Sequence, residues 1–371
     1  MRPIRRVLVI QPYGIGDLLF ITPVLRALRL LPGIERVDLI LGSRTEAVVR
    51  DNPHVDEVLS LDRDLFVTQD LSGKIREMAA LGRKLRARRY DLLLDYSFRD
   101  EFGFFGLFFL GIPVRAGYAR RRRGIFHNVR LPIPQGFEGR PVAEYAAQLA
   151  ERAGVPVEDR FLEFYLRPDI RTRAREKVFG KNGGRESYGV LSLGGGESWG
   201  KDAFFKRWPP AFFAALTEKL CVEVPFSSLV LVGSQKEFPL GEAFRSDHRR
   251  TVYNQCGTLE LEETAAIIEG ALFFIGNDGG LVHLAHSLRT PVVALYGPAD
   301  PVVYGPYPAS PEAIAVYRGE LECRPCYKNF RYKEDCATRE CLEALTPETV
   351  WESLQSQRFP HILRDRKRIL R

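Results

Sequence analysis

The chain has 371 residues, 45% of them hydrophobic, and a formal net charge of +7. These figures are ordinary for a soluble globular protein, but the length exceeds what one core organises, since single cores stop growing near ~250–300 residues. The basic excess sits in runs, Arg120–Arg123 and Arg364–Arg371, which suit a polyanionic partner; no RNA- or DNA-binding motif accompanies them, so nucleic acid is not expected.

In chain order, Val7–Ile10 reads as a strand and not as a secretory h-region, and Leu18–Leu31 as a helix stopped by Pro32–Gly33. Arg36–Leu41 reads as a strand, and a helix capped by Ser43 follows. "DEVLSLD" is a strand, Lys74–Arg88 a basic helix, Tyr90–Tyr96 a strand. The Phe-rich stretch Phe102–Val114 is too short to span a membrane, which needs about 20 residues. Its five phenylalanines make either a buried helix or an apolar patch facing a membrane. A strand near "VRAGY" and a helix over Pro141–Val155, ended by Gly154, complete the first half. Residues 161–186 are charged and rich in loop residues, like a linker. A second alternating series follows: "YGVLSLGGG", "PPAFFAALTEKL", "SLVLVGS", "LEETAAIIEGA", "LFFIGND", "GGLVHLAHSL" and "PVVALYG". Strands alternating with helices predict α/β architecture, with two doubly wound parallel-sheet domains. Ligands of such sheets bind beyond the carboxyl ends of the strands, which predicts a site in a central cleft between two facing domains.

Three stretches carry chemistry. In "FFIGNDGGLVHLAHSL" a strand ends at Asn277–Asp278 and Gly279–Gly280 open a helix with His283 one turn in. Backbone N–H groups there suit a phosphate, His283 suits one of its oxygens, and Asp278 suits a sugar hydroxyl or a helix cap. In "LSLGGGESWGKDAFFKRWPP" Gly194 and Gly195 end a strand, and Lys206 is placed to neutralise a diphosphate. In "YGIGDLLFITP" the turn holds Gly14, Gly16 and Asp17 but no third glycine of a dinucleotide fingerprint, which argues against an NAD-dependent oxidoreductase. The turn presents a carboxylate, and its glycines leave room for a sugar.

Gly14-Ile15-Gly16-Asp17 with Thr22-Pro23, "KRWPPAFFAAL" and "GNDGGLVHLAHSL…VVALYGPADPVVYGPY" together resemble the heptosyltransferase-like glycosyltransferases of family 9. The matches run in order over most of the chain. The resemblance implies a GT-B fold. Residues 1–160 would form an acceptor-binding Rossmann-like domain and 161–186 a linker. Residues 187–345 would bind a nucleotide-sugar, and the helix and basic tail over 346–371 would pack back on the first domain. It implies an inverting glycosyltransferase that needs no metal or other cofactor. The donor would be ADP-heptose and the acceptor an anionic, lipid-linked saccharide such as the lipopolysaccharide core. Asp17 falls on the family's general base, Lys206 on its phosphate lysine, and Asp278, Gly279, Gly280 and His283 on its donor motif. Leu259 falls near the nucleobase contact and Gln235 where relatives often carry a ribose-binding Glu; Gly279 replaces a common Thr. The expected place of action is the cytoplasm, at the cytoplasmic face of the inner membrane and in peripheral contact with it. A non-catalytic nucleotide-binding regulator is the other reading.

Cys323-x₂-Cys326 and Cys336-x₄-Cys341 leave three possibilities open: a structural zinc, reduced thiols, or disulfides, which a cytosolic location disfavours. Cys221 and Cys256 read as core residues.

Overall fold

The computed structural model describes residues 3–61, 71–181, 187–196, 203–328, 330–331, 336 and 338–370. The chain forms two compact units, Met1–Tyr165 and Leu166–Arg371.

The first unit holds β1 (Arg6–Gln11), β2 (Arg36–Gly42), β3 (Glu57–Leu61), β4 (Leu92–Asp95), β5 (Val114–Ala119) and β6 (Val129–Pro132). They form one parallel sheet in the order β3-β2-β1-β4-β5-β6. The second holds β7 (Tyr188–Ser192), β8 (Ser228–Leu231), β9 (Thr251–Asn254), β10 (Phe274–Asn277), β11 (Val292–Tyr296) and β12 (Ala313–Tyr317). Its parallel order is β12-β11-β10-β7-β8-β9. Taken from its own first strand, each sheet has the doubly wound order 3-2-1-4-5-6, with the switch point at β1/β4 in one and β7/β10 in the other. The expected α/β class and GT-B type of unit are borne out.

The central strands are apolar along their length because helices cover both faces. Leu8, Ile10, Ile40 and Leu93 lie in a core of the first unit, and Leu191, Leu229, Ile275 and Val293 in a core of the second. At the amino end of the first sheet the fully buried Asp38 carboxylate accepts from Arg36 Nε, Arg88 Nη1 and the Tyr90 hydroxyl. Those donors offset the desolvation of the charge.

Several elements differ from the sequence reading. After β2 the chain makes only a 3₁₀ segment, Ser43–Val48, with Gly42 at its N-cap in place of Ser43. The stretch read as a linker contains a helix, Pro168–Phe179. Its buried Ile170, Ala174 and Val178 recur every fourth residue on an otherwise charged helix. Arg171 pairs with Glu269 and Lys177 with Glu263 of the helix Leu261–Glu269. The last helix, Phe359–Ile369, has contacts within the second unit. Phe359 and Leu363 enter the second core, Arg364 pairs with Glu223, and Arg366 Nε donates to the Ala271 carbonyl. The Phe-rich stretch is a helix over Asp100–Phe104 that continues as a π turn, Phe105–Phe109. Among the described residues no helix is long and apolar enough to cross a membrane.

Candidate functional site

Both units carry their predicted residues in the loops that leave the carboxyl ends of the strands. In the second unit Asn277 ends β10 and organises the switch point. Its Nδ2 donates to the carbonyls of Leu193 and Gly194, each at 3.0 Å, and its Oδ1 accepts from Trp208 N–H at 2.9 Å. One amide thus ties the loop after β7 and the entry to the helix Pro210–Glu223 onto β10. That tie brings Lys206 beside Asp278: Nζ lies 2.7 Å from Oδ2, and the side chains are only 4% and 8% exposed. Asp278 is therefore a partner of Lys206; the helix Gly280–Ser287 has no side-chain cap.

Gly279 is extended at the N-cap of that helix, and a Cβ there would meet only the Asn277 carbonyl, at 3.7 Å. A side chain at Gly279 would therefore meet no crowding. His283, one turn into the helix, is buried. Burial first, then His286 and the Lys206 ammonium, lower its pKa to about 3, so it is a neutral imidazole near pH 7. Burial likewise lowers His286 to about 4, although its Nε2 lies 2.9 Å from the Pro308 carbonyl.

The glycines after β7 are required by crowding. A Cβ on Gly194 would stand 1.6 Å from Glu237 Oε1, and one on Gly195 2.2 Å from the Ala203 carbonyl. Glu237 escaped the sequence reading. Its buried carboxylate accepts from Gly196 N–H at 3.3 Å and from Ser234 N–H at 2.8 Å, joining the loops after β7 and β8. The signal was present: Ser234-x-x-Glu237 is a capping box, and the structure forms it. Gln235 is exposed in the same turn and lies against Gly257, in the loop after β9 that leads to the half-buried Leu259. The residues expected to bind a donor thus lie at the carboxyl ends of β7, β8, β9 and β10. Lys201 and Asp202, quoted with this motif, lie outside the described residues.

In the first unit Gly14 is the N-cap of a short helix, Ile15–Leu19, that contains Gly16. Asp17 is half-exposed, and its Oδ2 accepts from Gly14 N–H at 3.0 Å. Beside it the loops after β1 and β4 are stitched together. Tyr13 stacks on Phe98 at 5.6 Å and its hydroxyl accepts from Phe98 N–H at 3.0 Å. Phe98 stacks in turn on Tyr118 at 5.5 Å, and Phe137 packs on both. Burial, then Tyr96 and Asp17, push the Tyr118 hydroxyl well above its ordinary pKa, so Asp17 and this aromatic row share one electrostatic neighbourhood.

The cysteine loop does not bear out a zinc site. Cys323, Cys326, Cys336 and Cys341 are free thiols, and among the described residues no three His, Cys, Asp or Glu side chains are grouped to hold a metal. Burial raises the pKa of Cys326 and lifts Cys341 to about 11, and the neighbouring thiols of the loop add to both shifts.

A model of "Glycosyltransferase family 9 (heptosyltransferase)" matches residues 78–335. Lipopolysaccharide heptosyltransferase 2 of Escherichia coli K12 is 26% identical over 362 residues, which cover 95% of this chain and 98% of that protein. Two solved structures share the fold. The family 9 glycosyltransferase of Veillonella parvula has a TM-score of 0.75 at 20% identity, over 95% of this chain and 97% of that one. The E. coli ADP-heptose heptosyltransferase II has a TM-score of 0.72 at 21% identity, over 97% and 99%. The chain belongs to glycosyltransferase family 9, the heptosyltransferase family, and is a glycosyltransferase.

Proposed function

We propose that this protein transfers a heptose from ADP-heptose to the core of lipopolysaccharide or a related lipid-linked saccharide, with inversion at the anomeric carbon, at the cytoplasmic face of the inner membrane. The observation that carries the reading is the Lys206–Asp278 pair at the start of the helix Gly280–Ser287, beside a neutral His283. Near-end-to-end similarity to a lipopolysaccharide heptosyltransferase supports the choice of sugar and acceptor class.

The chemistry follows from the charges. As the sugar leaves, negative charge grows on the diphosphate. A fixed ammonium and the N–H groups of a helix start stabilise it without having to reorganise. Asp278 holds Lys206 Nζ in place for that task. These groups meet the leaving charge, so the proposal includes no metal. His283, neutral, offers one N–H donor to a phosphate oxygen. Gln235 and Leu259 contact the nucleoside. On the acceptor side Asp17 takes the proton from the attacking hydroxyl, oriented by its hydrogen bond from Gly14. Gly14 and Gly16 leave space for the acceptor sugar, and the Tyr13–Phe98 pair offers it an apolar wall.

The test is transfer from ADP-heptose to a deacylated core saccharide, read by mass spectrometry with EDTA present. Transfer of heptose by the native protein and its loss in Asp17→Ala, with ADP binding unchanged, is the expected result. Transfer that survives in Asp17→Ala removes the base assignment. ADP binding without transfer of any sugar would turn the reading to a nucleotide-binding regulator.

A further inference from the structure

Two features of the first unit play no part in that chemistry, and the fold brings them to one place. Phe102 and Phe105 enter the core. Phe104 and Phe108, one turn apart on the other side, are 36% and 60% exposed, with their rings 4.6 Å apart. Phe126, in the loop between β5 and β6, stands edge-on to both, at 5.4 and 6.1 Å, and its neighbour Ile125 is 59% exposed. Isolated exposed apolar side chains are normal, but a contiguous aromatic patch marks an interaction surface.

The loop that completes the patch is held firmly. Gly124 N–H donates to Asp100 Oδ1 at 2.7 Å, Arg115 Nε to the Phe126 carbonyl at 2.8 Å, and Arg123 Nη1 to the Phe98 carbonyl at 3.0 Å. Gly124 has φ +87°, and a Cβ there would stand 2.6 Å from the Tyr118 carbonyl, so this shape needs glycine. The same loop carries Arg121, Arg122 and Arg123, all exposed. The acids nearby are engaged elsewhere: Asp100 on Gly124, Glu101 on Arg99. No ion pair to Arg121 or Arg122 occurs among the described residues.

We propose that this face docks on an anionic lipid bilayer, with Phe104, Phe108 and Ile125 entering the headgroup–acyl boundary and Arg121–Arg123 meeting lipid phosphates. Charge complementarity selects this occupant. A patch of rings beside a run of arginines matches the apolar-and-anionic layering of a membrane surface, where aromatic rings and basic side chains are both favoured. The inference does not rest on the sugar or on the base assigned above.

Flotation of the full chain with vesicles tests it, using phosphatidylcholine alone and phosphatidylcholine with phosphatidylglycerol. Binding is expected to the anionic vesicles only and to weaken as salt rises. The double substitutions Phe108→Ser/Ile125→Ser and Arg121→Glu/Arg122→Glu should each lower partitioning at least about tenfold. Stabilisation by ADP and transfer to a soluble, delipidated acceptor should stay as in the native protein. The arginine variant alters only exposed loop side chains, so it decides the matter even if the apolar one folds poorly. Absence of flotation, or equal flotation of the arginine variant, overturns the proposal. So does a native dimer that Phe108→Ser/Ile125→Ser converts to monomer, because the patch would then cover a second copy. Intact anionic-vesicle binding without transfer counts against the reaction and supports the docking face.

Discussion

Both units turn a strand into a helix at the switch point, and both place an aspartate there, yet the two carboxylates are treated in opposite ways. Asp278 comes before its helix, is buried, and sits on a lysine. Asp17 is the third residue of its helix, half-exposed, and turned back to its own loop at Gly14. A carboxylate out of water needs a cation beside it, because an unpaired buried charge is strongly unfavourable. One that must accept a proton from an incoming hydroxyl has to remain where that hydroxyl can reach it. The same topology therefore supports a charge clamp in one unit and the proposed base in the other.

The contrast can be broken by experiment. The largest effect should come from Asp17→Asn, which keeps the shape and removes the base. Turnover should fall by about 10²–10⁴-fold while ADP affinity holds, read by steady-state kinetics beside calorimetry. Next, Lys206→Ala or Asp278→Ala alone leaves a buried charge without its partner. Each should destabilise by about 3–5 kcal/mol, and the double variant by clearly less than the sum, in denaturant unfolding. Additive losses would show that the pair is not a clamp.

The histidines give a smaller, pH-dependent effect. His283 and His286 are held neutral down to about pH 3 and 4, whereas unfolded histidine takes a proton near 6.5. Protons then favour the unfolded state. Stability is full above pH 6.5 and falls below it, by about 1.4 kcal/mol per pH unit for each histidine, until the folded pKa is reached. His283→Gln/His286→Gln should flatten the slope between pH 6 and 4.5 in thermal melts, and an unchanged slope would contradict the burial argument. The smallest effect is expected at Gly279→Thr. The extended backbone and the lack of crowding admit the side chain, so stability should change by less than about 0.5 kcal/mol.

The sequence reads best where local pattern and tertiary position agree. The apolar runs of β1, β2, β4, β7, β10 and β11 are central strands and announce themselves. β6, β9 and β12 lie at sheet edges and are partly solvated; β6 and β9 mix polar and apolar residues and give no clear run, whereas β12, Ala-Ile-Ala-Val-Tyr, is apolar and passed unread after the last strand of the motif. The helix Pro168–Phe179 is hidden because only three of its residues are buried. In the site, Asp17, Lys206 and Asp278 carry motif spacing. Asn277 acts through the Leu193 carbonyl 84 residues away, and Glu237, beside its local capping box, through Gly196 N–H 41 residues away, relations that no local window contains.

The strand order also sets when each site can come into being. In both sheets the two strands that flank the switch point are far apart in the chain: β1 pairs with Leu92–Asp95, and β7 with Phe274–Gly276. On a ribosome adding about 5–20 residues per second, the first strand of each unit waits seconds for its partner. Contacts so distant in sequence form late and slowly. Until that pairing closes, Asp17 lacks the aromatic row at its side and Lys206 has no carboxylate to meet. A nascent chain stalled before its fourth strand would therefore hold the glycine turn with its local bond from Gly14 to Asp17, but not the Tyr13–Phe98 stack beside it.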